Sequence, residues 1–224
     1  MVIVMRYKRI TLLSGHYGSG KTNVAVNMAM ELKKEYDRVT VADLDIVNPY
    51  FRTLDSKADF DHAGIRLIVS EYANTNLDVP ALPQEIYTIV DDTSAHVIID
   101  VGGDERGALA LGRISDRIKE ENDYEMLLVI NRFRPLTRTP EDVVEVMREI
   151  EAAGRIPFTG IVNDSNLGAE TDAETVRSSL AFAEEVSKLT GLPVVMTAVE
   201  ERIYEELKEE IPDLFPMKLQ KRPV

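Results

Sequence analysis

The stretch Ile10-Thr11-Leu12-Leu13-Ser14-Gly15-His16-Tyr17-Gly18-Ser19-Gly20-Lys21-Thr22 decides how this chain is read. Its first five residues form an apolar, β-branched run of strand length, and from Thr22 to Tyr36 the apolar spacing is helical. Between the two lies the pattern G-x4-G-K-[ST]. Its glycines let the backbone curl until consecutive N–H groups converge on phosphate oxygens. Lys21 brings a point charge to the β- and γ-phosphates, Thr22 offers a hydroxyl to Mg2+, and the following helix turns its positive end toward the anion. Gly15, His16, Tyr17, Gly18, Ser19, Gly20, Lys21 and Thr22 are thus the expected phosphate-binding residues, and a nucleoside triphosphate site is implied.

The same alternation continues outward from this loop. Ile10–Ser14, Val39–Ala42, Ile65–Val69, His96–Val101, Met126–Asn131, Thr159–Val162 and Val194–Thr197 read as strands. They are nearly continuous Val/Ile/Leu runs, as parallel strands covered on both faces require. Thr22–Tyr36, Pro83–Val90, Arg106–Glu121, Pro140–Ala153, Ala173–Thr190 and Arg202–Glu210 read as helices, several with end signals such as Thr139 before Pro140, or Gly154 and Gly191 after the last turn. The fold class is α/β, a mostly parallel sheet of about seven strands with helices on both faces. With no repeat and no Gly/Ser-rich linker, residues 1–224 read as a single nucleotide-binding domain. Ligands of such sheets bind beyond the carboxyl ends of the strands, which directs attention to the residues placed there.

Acidic residues occupy two of those positions. Asp43 and Asp45 follow the second strand, and Asp100 ends the fourth, ahead of Val101-Gly102-Gly103-Asp104. A carboxylate closing an apolar strand beside a phosphate loop suits Mg2+, so Asp100 joins Thr22 as an expected metal residue. The Gly102-Gly103 pair allows a loop to approach the γ-phosphate closely, which makes Gly103 a nucleotide-contacting candidate.

Composition narrows the chemistry. The chain has 224 residues, with 26 Lys+Arg against 39 Asp+Glu and a formal charge of −13. Such a balance disfavours nucleic acid and acidic membranes as main partners. The absence of cysteine removes disulfides, thiol nucleophiles and cysteine-ligated clusters. Three separated histidines make a transition-metal centre unpromising. No uninterrupted apolar run reaches about 18 residues, which points to a soluble, cytoplasmic protein without a stable membrane anchor.

The phosphate loop, the Asp43-Leu44-Asp45 segment, the strand ending Asp100-Val101-Gly102-Gly103, and Gly160-Ile161-Val162-Asn163 together resemble the MinD/ParA-type (CobQ/CobB/MinD/ParA) nucleotide-binding domain. The resemblance implies Mg-ATP as ligand and a P-loop NTPase architecture. It implies Asp45, 24 residues beyond Lys21, as the residue that orients the attacking water, with Lys21 as its catalytic companion. Asp43 is implied as a member of the Mg2+ shell, Asn163 as an adenine-binding side chain, and the backbone of Thr197, Ala198 and Val199 as lining of the base pocket. Asn23 stands near the α-phosphate where many members have a second Thr.

Two departures refine this. His16 stands where the family's deviant loop carries a lysine that reaches into a partner's nucleotide, and Tyr17 replaces a glycine. A neutral imidazole supplies no fixed charge, which implies slow hydrolysis and weakens the case for a lysine-bridged, nucleotide-dependent homodimer. Guanine-specific relatives use Asn-Lys-x-Asp after a strand, whereas Asn131-Arg132-Phe133-Arg134 ends in a residue that cannot accept a hydrogen bond. ATP is therefore expected over GTP.

The leading function is a Mg-dependent nucleotide switch that hydrolyses ATP and controls a protein partner through loops near Asn48–Arg52 and Gly102–Glu105. The alternative is an ATP-dependent ligase or kinase acting on a small molecule, as in the related dethiobiotin synthetase branch. A DNA-partition or membrane-positioning ATPase is a third reading. Of the remaining features, Arg132, Arg134 and Arg138 read first as a solvated loop with one arginine against the nucleotide, with an anion or partner site, or a basic patch for nucleic acid, as the other readings. Tyr50-Phe51-Arg52 could meet a partner or the core. The acidic stretch from Glu200 to Glu210 reads as a solvated face, and His62 and His96 as structural.

Overall fold

A computed structural model describes residues 7–45, 53–69 and 84–220. The Asn48–Arg52 segment, with Tyr50 and Phe51, lies outside these residues. Among the described residues, eight strands form one all-parallel sheet: β1 (Ile10–Ser14), β2 (Val39–Leu44), β3 (Arg66–Val69), β4 (His96–Val101), β5 (Tyr124–Ile130), β6 (Gly160–Asn163), β7 (Val194–Glu200) and β8 (Leu214–Met217). Their order is β3-β2-β4-β1-β5-β6-β7-β8. The chain builds outward on one side of β1 and then returns to build on the other. The order of strand addition therefore reverses beside β1, which makes the carboxyl end of the sheet there the crevice where a ligand fits.

Alternate residues of each strand face opposite layers. Ile10 and Leu12 of β1, Ile99 of β4, and Met126, Leu128 and Ile130 of β5 belong to one core. That core is closed by α3 (Gln84–Asp91), α4 (Glu105–Gly112), α5 (Ser115–Glu121), α6 (Pro140–Gly154) and α7 (Ala173–Thr190). Leu13, Ile98, Leu127 and Val129 face the other layer, made by α1 (Lys21–Glu35) and by Phe60 of α2 (Lys57–Ala63). A smaller apolar cluster joins α7, α8 (Glu201–Leu207) and β8.

Several elements differ from the sequence expectation. The sheet has an eighth strand, β8, whose Pro216 cannot donate to a ladder and so reads against a strand; at the sheet edge, paired only with β7, that loss is tolerated. The expected helix Arg106–Glu121 is two helices, α4 and α5. Gly112 ends the first, where a Cβ would stand 2.9 Å from the Ala153 carbonyl oxygen of α6. Helix α2 carries no clear signal in the sequence; it is a seven-residue element ended by Gly64 in the left-handed region, anchored by the fully buried Phe60. Strand β2 also runs two residues further than expected, so Asp43 lies within it.

Candidate functional site

The phosphate loop joins β1 to α1 at the carboxyl edge of the sheet. Glycine is required at several of its positions. Gly18 and Gly20 take φ of 77° and 99°, a region side chains avoid. A Cβ on Gly15 would lie 2.3 Å from the Val129 carbonyl oxygen of β5. Gly103, in the turn after β4, presses equally close, because a Cβ there would come within 1.8 Å of the Gly15 carbonyl oxygen. The β4–α4 turn thus touches the loop. Asp104 caps α4 just beyond, accepting from the Gly107 N–H at 2.9 Å.

Lys21 is 4% exposed, and its ammonium donates to the His16 carbonyl oxygen at 3.4 Å. Tyr17 projects outward, half-exposed, while the His16 imidazole Nδ1 lies 3.0 Å from the Tyr17 carbonyl oxygen. The Arg134 guanidinium donates through Nε to the Gly18 carbonyl oxygen at 2.6 Å, so this arginine braces the loop. Arg132 instead donates to the Ser178 carbonyl oxygen and lies 5.4 Å over the Phe133 ring.

The acidic residues lie at the carboxyl end of the sheet beside the loop. Asp43 and Asp100 are register partners on adjacent strands. The Thr22 hydroxyl donates to Asp100 Oδ2 at 2.7 Å. Asp100 is fully buried, and its Oδ1 has no hydrogen-bond partner among the described residues. Burial above all, and then the neighbouring Asp43 charge, push the Asp100 carboxyl up to about 7, against the opposing pull of Lys21. A buried carboxylate with an unsatisfied oxygen beside a Thr hydroxyl is a donor set that fits Mg2+. Among the described residues no three acidic or histidine side chains form a closed metal cage. Mg2+ does not need one, since it retains waters and takes phosphate oxygens.

Asp43 has both carboxylate oxygens occupied. Oδ1 accepts from the Asp45 N–H at 2.9 Å, and Oδ2 accepts from the Thr53 hydroxyl at 2.6 Å. Asp45 reaches the β4–α4 turn, where a Cβ on Gly102 would lie 3.3 Å from its Oδ1.

Asn23 and Asn163 are placed differently from the phosphate-facing groups. Asn23 Oδ1 accepts from the Gln220 N–H at 3.1 Å, which ties the first turn of α1 to the carboxyl-terminal segment. The Asn163 amide is buried at the end of β6. It donates to the Ser179 hydroxyl at 2.9 Å and accepts from the Ser165 N–H at 3.3 Å. The next residues, Asp164–Asn166, form one wall of a narrow cleft of about 10 Å3. Ala198, Val199 and Glu200 at the end of β7 form the other.

Asp164 escaped the sequence reading. It is 2% exposed, its Oδ2 has no hydrogen-bond partner among the described residues, and a Cβ on Gly20 would meet that oxygen at 1.7 Å. Burial holds its carboxyl well above the usual carboxylate range. Thr53 was also missed. No local motif announces either residue; an acid directly after a strand-ending Asn was the only available signal for Asp164.

Among solved structures, FtsY from Mycoplasma mycoides superposes with a TM-score of 0.54 at 18% identity, over 85% of this chain and 59% of that one. Cell division protein FtsY from Thermotoga maritima gives 0.53 at 16% identity, over 86% and 62%. FlhF complexed with GTP and Mg2+ gives 0.52 at 13% identity, over 85% and 65%. This chain thus spans about three-fifths of the length of these proteins, and the likeness is one of fold alone, an α/β fold of the P-loop type. No curated protein matches in sequence. The family profile of the CobQ/CobB/MinD/ParA nucleotide binding domain matches residues 10–176. That span opens with the first residue of β1, closes in the first turn of α7, and carries every loop and acidic residue of the phosphate face, so the chain belongs to the CobQ/CobB/MinD/ParA nucleotide-binding domain family.

Proposed function

We propose that the protein is a Mg2+-dependent ATPase that turns over slowly and acts as a nucleotide switch for a protein partner, within a single nucleotide-binding domain. The observation that carries this reading is the Thr22–Asp100 hydrogen bond of 2.7 Å, with Asp100 Oδ1 left over beside the phosphate loop. Thr22 and Asp100 would hold Mg2+, which supplies charge neutralisation on the β- and γ-phosphate oxygens. The loop amides and Lys21 bind and orient the triphosphate. Asp45 accepts a hydrogen bond from water and aligns it with the γ-phosphorus. Little covalent work remains for the protein, since positioning and charge carry such reactions. His16 contributes no fixed cation, in keeping with slow turnover.

The residues after β5 and β6 favour adenine. Neither Asn131–Arg134 nor Asn163–Asn166 spells Asn-Lys-x-Asp, and their last residues, an arginine and an asparagine, lack the carboxylate that would accept two guanine N–H groups. The proposed base site lies against the Asn163 side chain and the backbone of Thr197, Ala198 and Val199; the neighbouring cleft of about 10 Å3 holds no more than a water and has to widen to admit a purine.

The test is phosphate release from ATP and from GTP with Mg2+ or with EDTA. ATP hydrolysis that needs Mg2+ and vanishes in Asp45→Ala, with ATP still bound, supports the reading. Preference for GTP overturns the base assignment, and phosphate release only on addition of a small acid would make the protein a ligase or kinase.

A further inference from the structure

We infer that Thr53 and Asp43 form a positioning pair that fixes Asp45, and that Asp43 works through this pair rather than as a Mg2+ ligand; the inference rests on the hydrolase reading above. The geometry is a two-ended clasp. Asp43 comes from β2, the strand beside β4, and its carboxylate is largely buried. One oxygen receives the backbone N–H of Asp45, two residues on, and so sets the direction in which the chain leaves the strand. The other receives the hydroxyl of Thr53, which is completely buried and begins the helical turn Thr53–Ser56. The turn continues directly into α2, whose Phe60 is locked in the core under α1. Thr53 is therefore held from behind by packing. Its hydroxyl fixes the Asp43 carboxylate, and that carboxylate fixes the Asp45 backbone.

The contrast with Asp100 supports the division of labour. The two carboxylates are register neighbours, yet Asp100 keeps an oxygen without a hydrogen-bond partner among the described residues, whereas each oxygen of Asp43 accepts a hydrogen bond from the protein. A carboxylate so bound is oriented by the protein, and removing one donor releases the other end. Misplacement of a water-orienting group by about 1 Å suffices to slow an aligned displacement about 100-fold.

The experiment uses the full chain with ATP and compares Thr53→Val, which keeps shape and loses the donor, with Thr53→Ser, which keeps the donor. Thr53→Val is expected to lower kcat by on the order of 10- to 100-fold. The ATP dissociation constant and the half-saturating Mg2+ concentration should each stay within about threefold, since neither contact is to ligand. Thr53→Ser should restore most of kcat. In an Asp45→Ala background Thr53→Val should add nothing, because the pair acts through Asp45. Hydrogen exchange of the peptide spanning residues 43–45 should quicken in Thr53→Val and not in Thr53→Ser, which reads the clasp without catalysis.

A half-saturating Mg2+ concentration raised tenfold or more, with kcat recovered at high Mg2+, would place Asp43 in the metal shell and overturn the inference. So would a Thr53→Val protein with wild-type kcat and unchanged exchange. If in that case Asp45→Ala still abolishes hydrolysis, the hydrolase reading survives on its own. A wild type that binds ATP and never releases phosphate removes both.

Discussion

Thr22 and Asp100 are 78 positions apart in sequence, yet the hydroxyl of one donates to the carboxylate of the other across 2.7 Å. This bond joins the phosphate loop to β4 and selects which Asp100 oxygen remains open. The same burial that leaves Oδ1 without a partner among the described residues raises the carboxyl to about 7.

A raised carboxyl pKa fixes the sign of a pH effect. Between the unfolded value near 4 and the folded value near 7, the folded protein binds more protons than the unfolded chain. Stability contributed through Asp100 is therefore greatest at low pH and is lost as pH rises across that window. Without metal, the melting temperature should fall from pH 5 to pH 8, and less steeply in Asp100→Asn. With Mg2+ and nucleotide present, binding at pH 6.5 should release a proton. Calorimetric titration in two buffers of different ionisation enthalpy measures that release, and equal heats in both would contradict it.

Asp164 adds to the same trend from the other side of the loop. Its carboxyl is raised by burial, so it too withdraws stability as pH rises above about 4. Asp164→Asn should be at least as stable as wild type at pH 8, with the difference shrinking toward pH 4. Urea midpoints at three pH values provide the check.

Gly103 is the tightest backbone approach in the site. An alanine there must displace the Gly15 carbonyl, a rigid atom rather than a mobile side chain. Gly103→Ala should cost about 2 kcal/mol of stability or more and should weaken nucleotide binding. Gly191→Ala has open space around its added methyl and only its φ of 75° to accommodate, and should cost about 1 kcal/mol with binding intact. Chemical unfolding and nucleotide titration of both variants separate the two effects.

Arg9 anchors the opposite end of the sheet. It is 6% exposed, pairs with Glu121, and donates to the carbonyl oxygens of Ile89, Val90, Asp92 and Ala95 around the end of α3. Arg9→Ala removes the donor to Glu121 and to four carbonyls, of which Asp92 keeps the Ala95 N–H. A loss of about 3–5 kcal/mol is expected, read as a shift in urea midpoint.

How much of the fold and site was legible in the sequence depended on how local each feature is. The loop from Gly15 to Thr22 and the strand ending in Asp100 were readable because a strand, a turn and a helix each sign their own few residues. Helix α7, Ala173–Thr190, matched to the residue, since Asp172 caps one end and Gly191 the other. The glycine at 112, where α4 ends, packs against the backbone of Ala153 on a different helix, a contact that the local sequence does not display. Pro216 signalled against a strand that exists only because it lies at an edge. In the site, residue types that bind phosphate were visible, whereas the contacts of Asp164 with Gly20 and of Arg134 with Gly18 arise from folding alone. The amides of Asn23 and Asn163 likewise gave no hint in sequence that they serve Gln220 and Ser179.

The position of β1 has a consequence for how the protein is made. Its two ladder neighbours are β4 and β5, which begin at His96 and Tyr124. On a ribosome the amino-terminal strand must therefore wait, without its full set of ladder partners, while more than a hundred further residues are synthesised. Val129, whose carbonyl oxygen shapes Gly15, emerges later still. The nascent chain thus has no finished phosphate loop before Val129 has been synthesised. A bound nucleotide can select for the folded state only after β5 has docked, when its capture becomes a report that the centre of the sheet is complete.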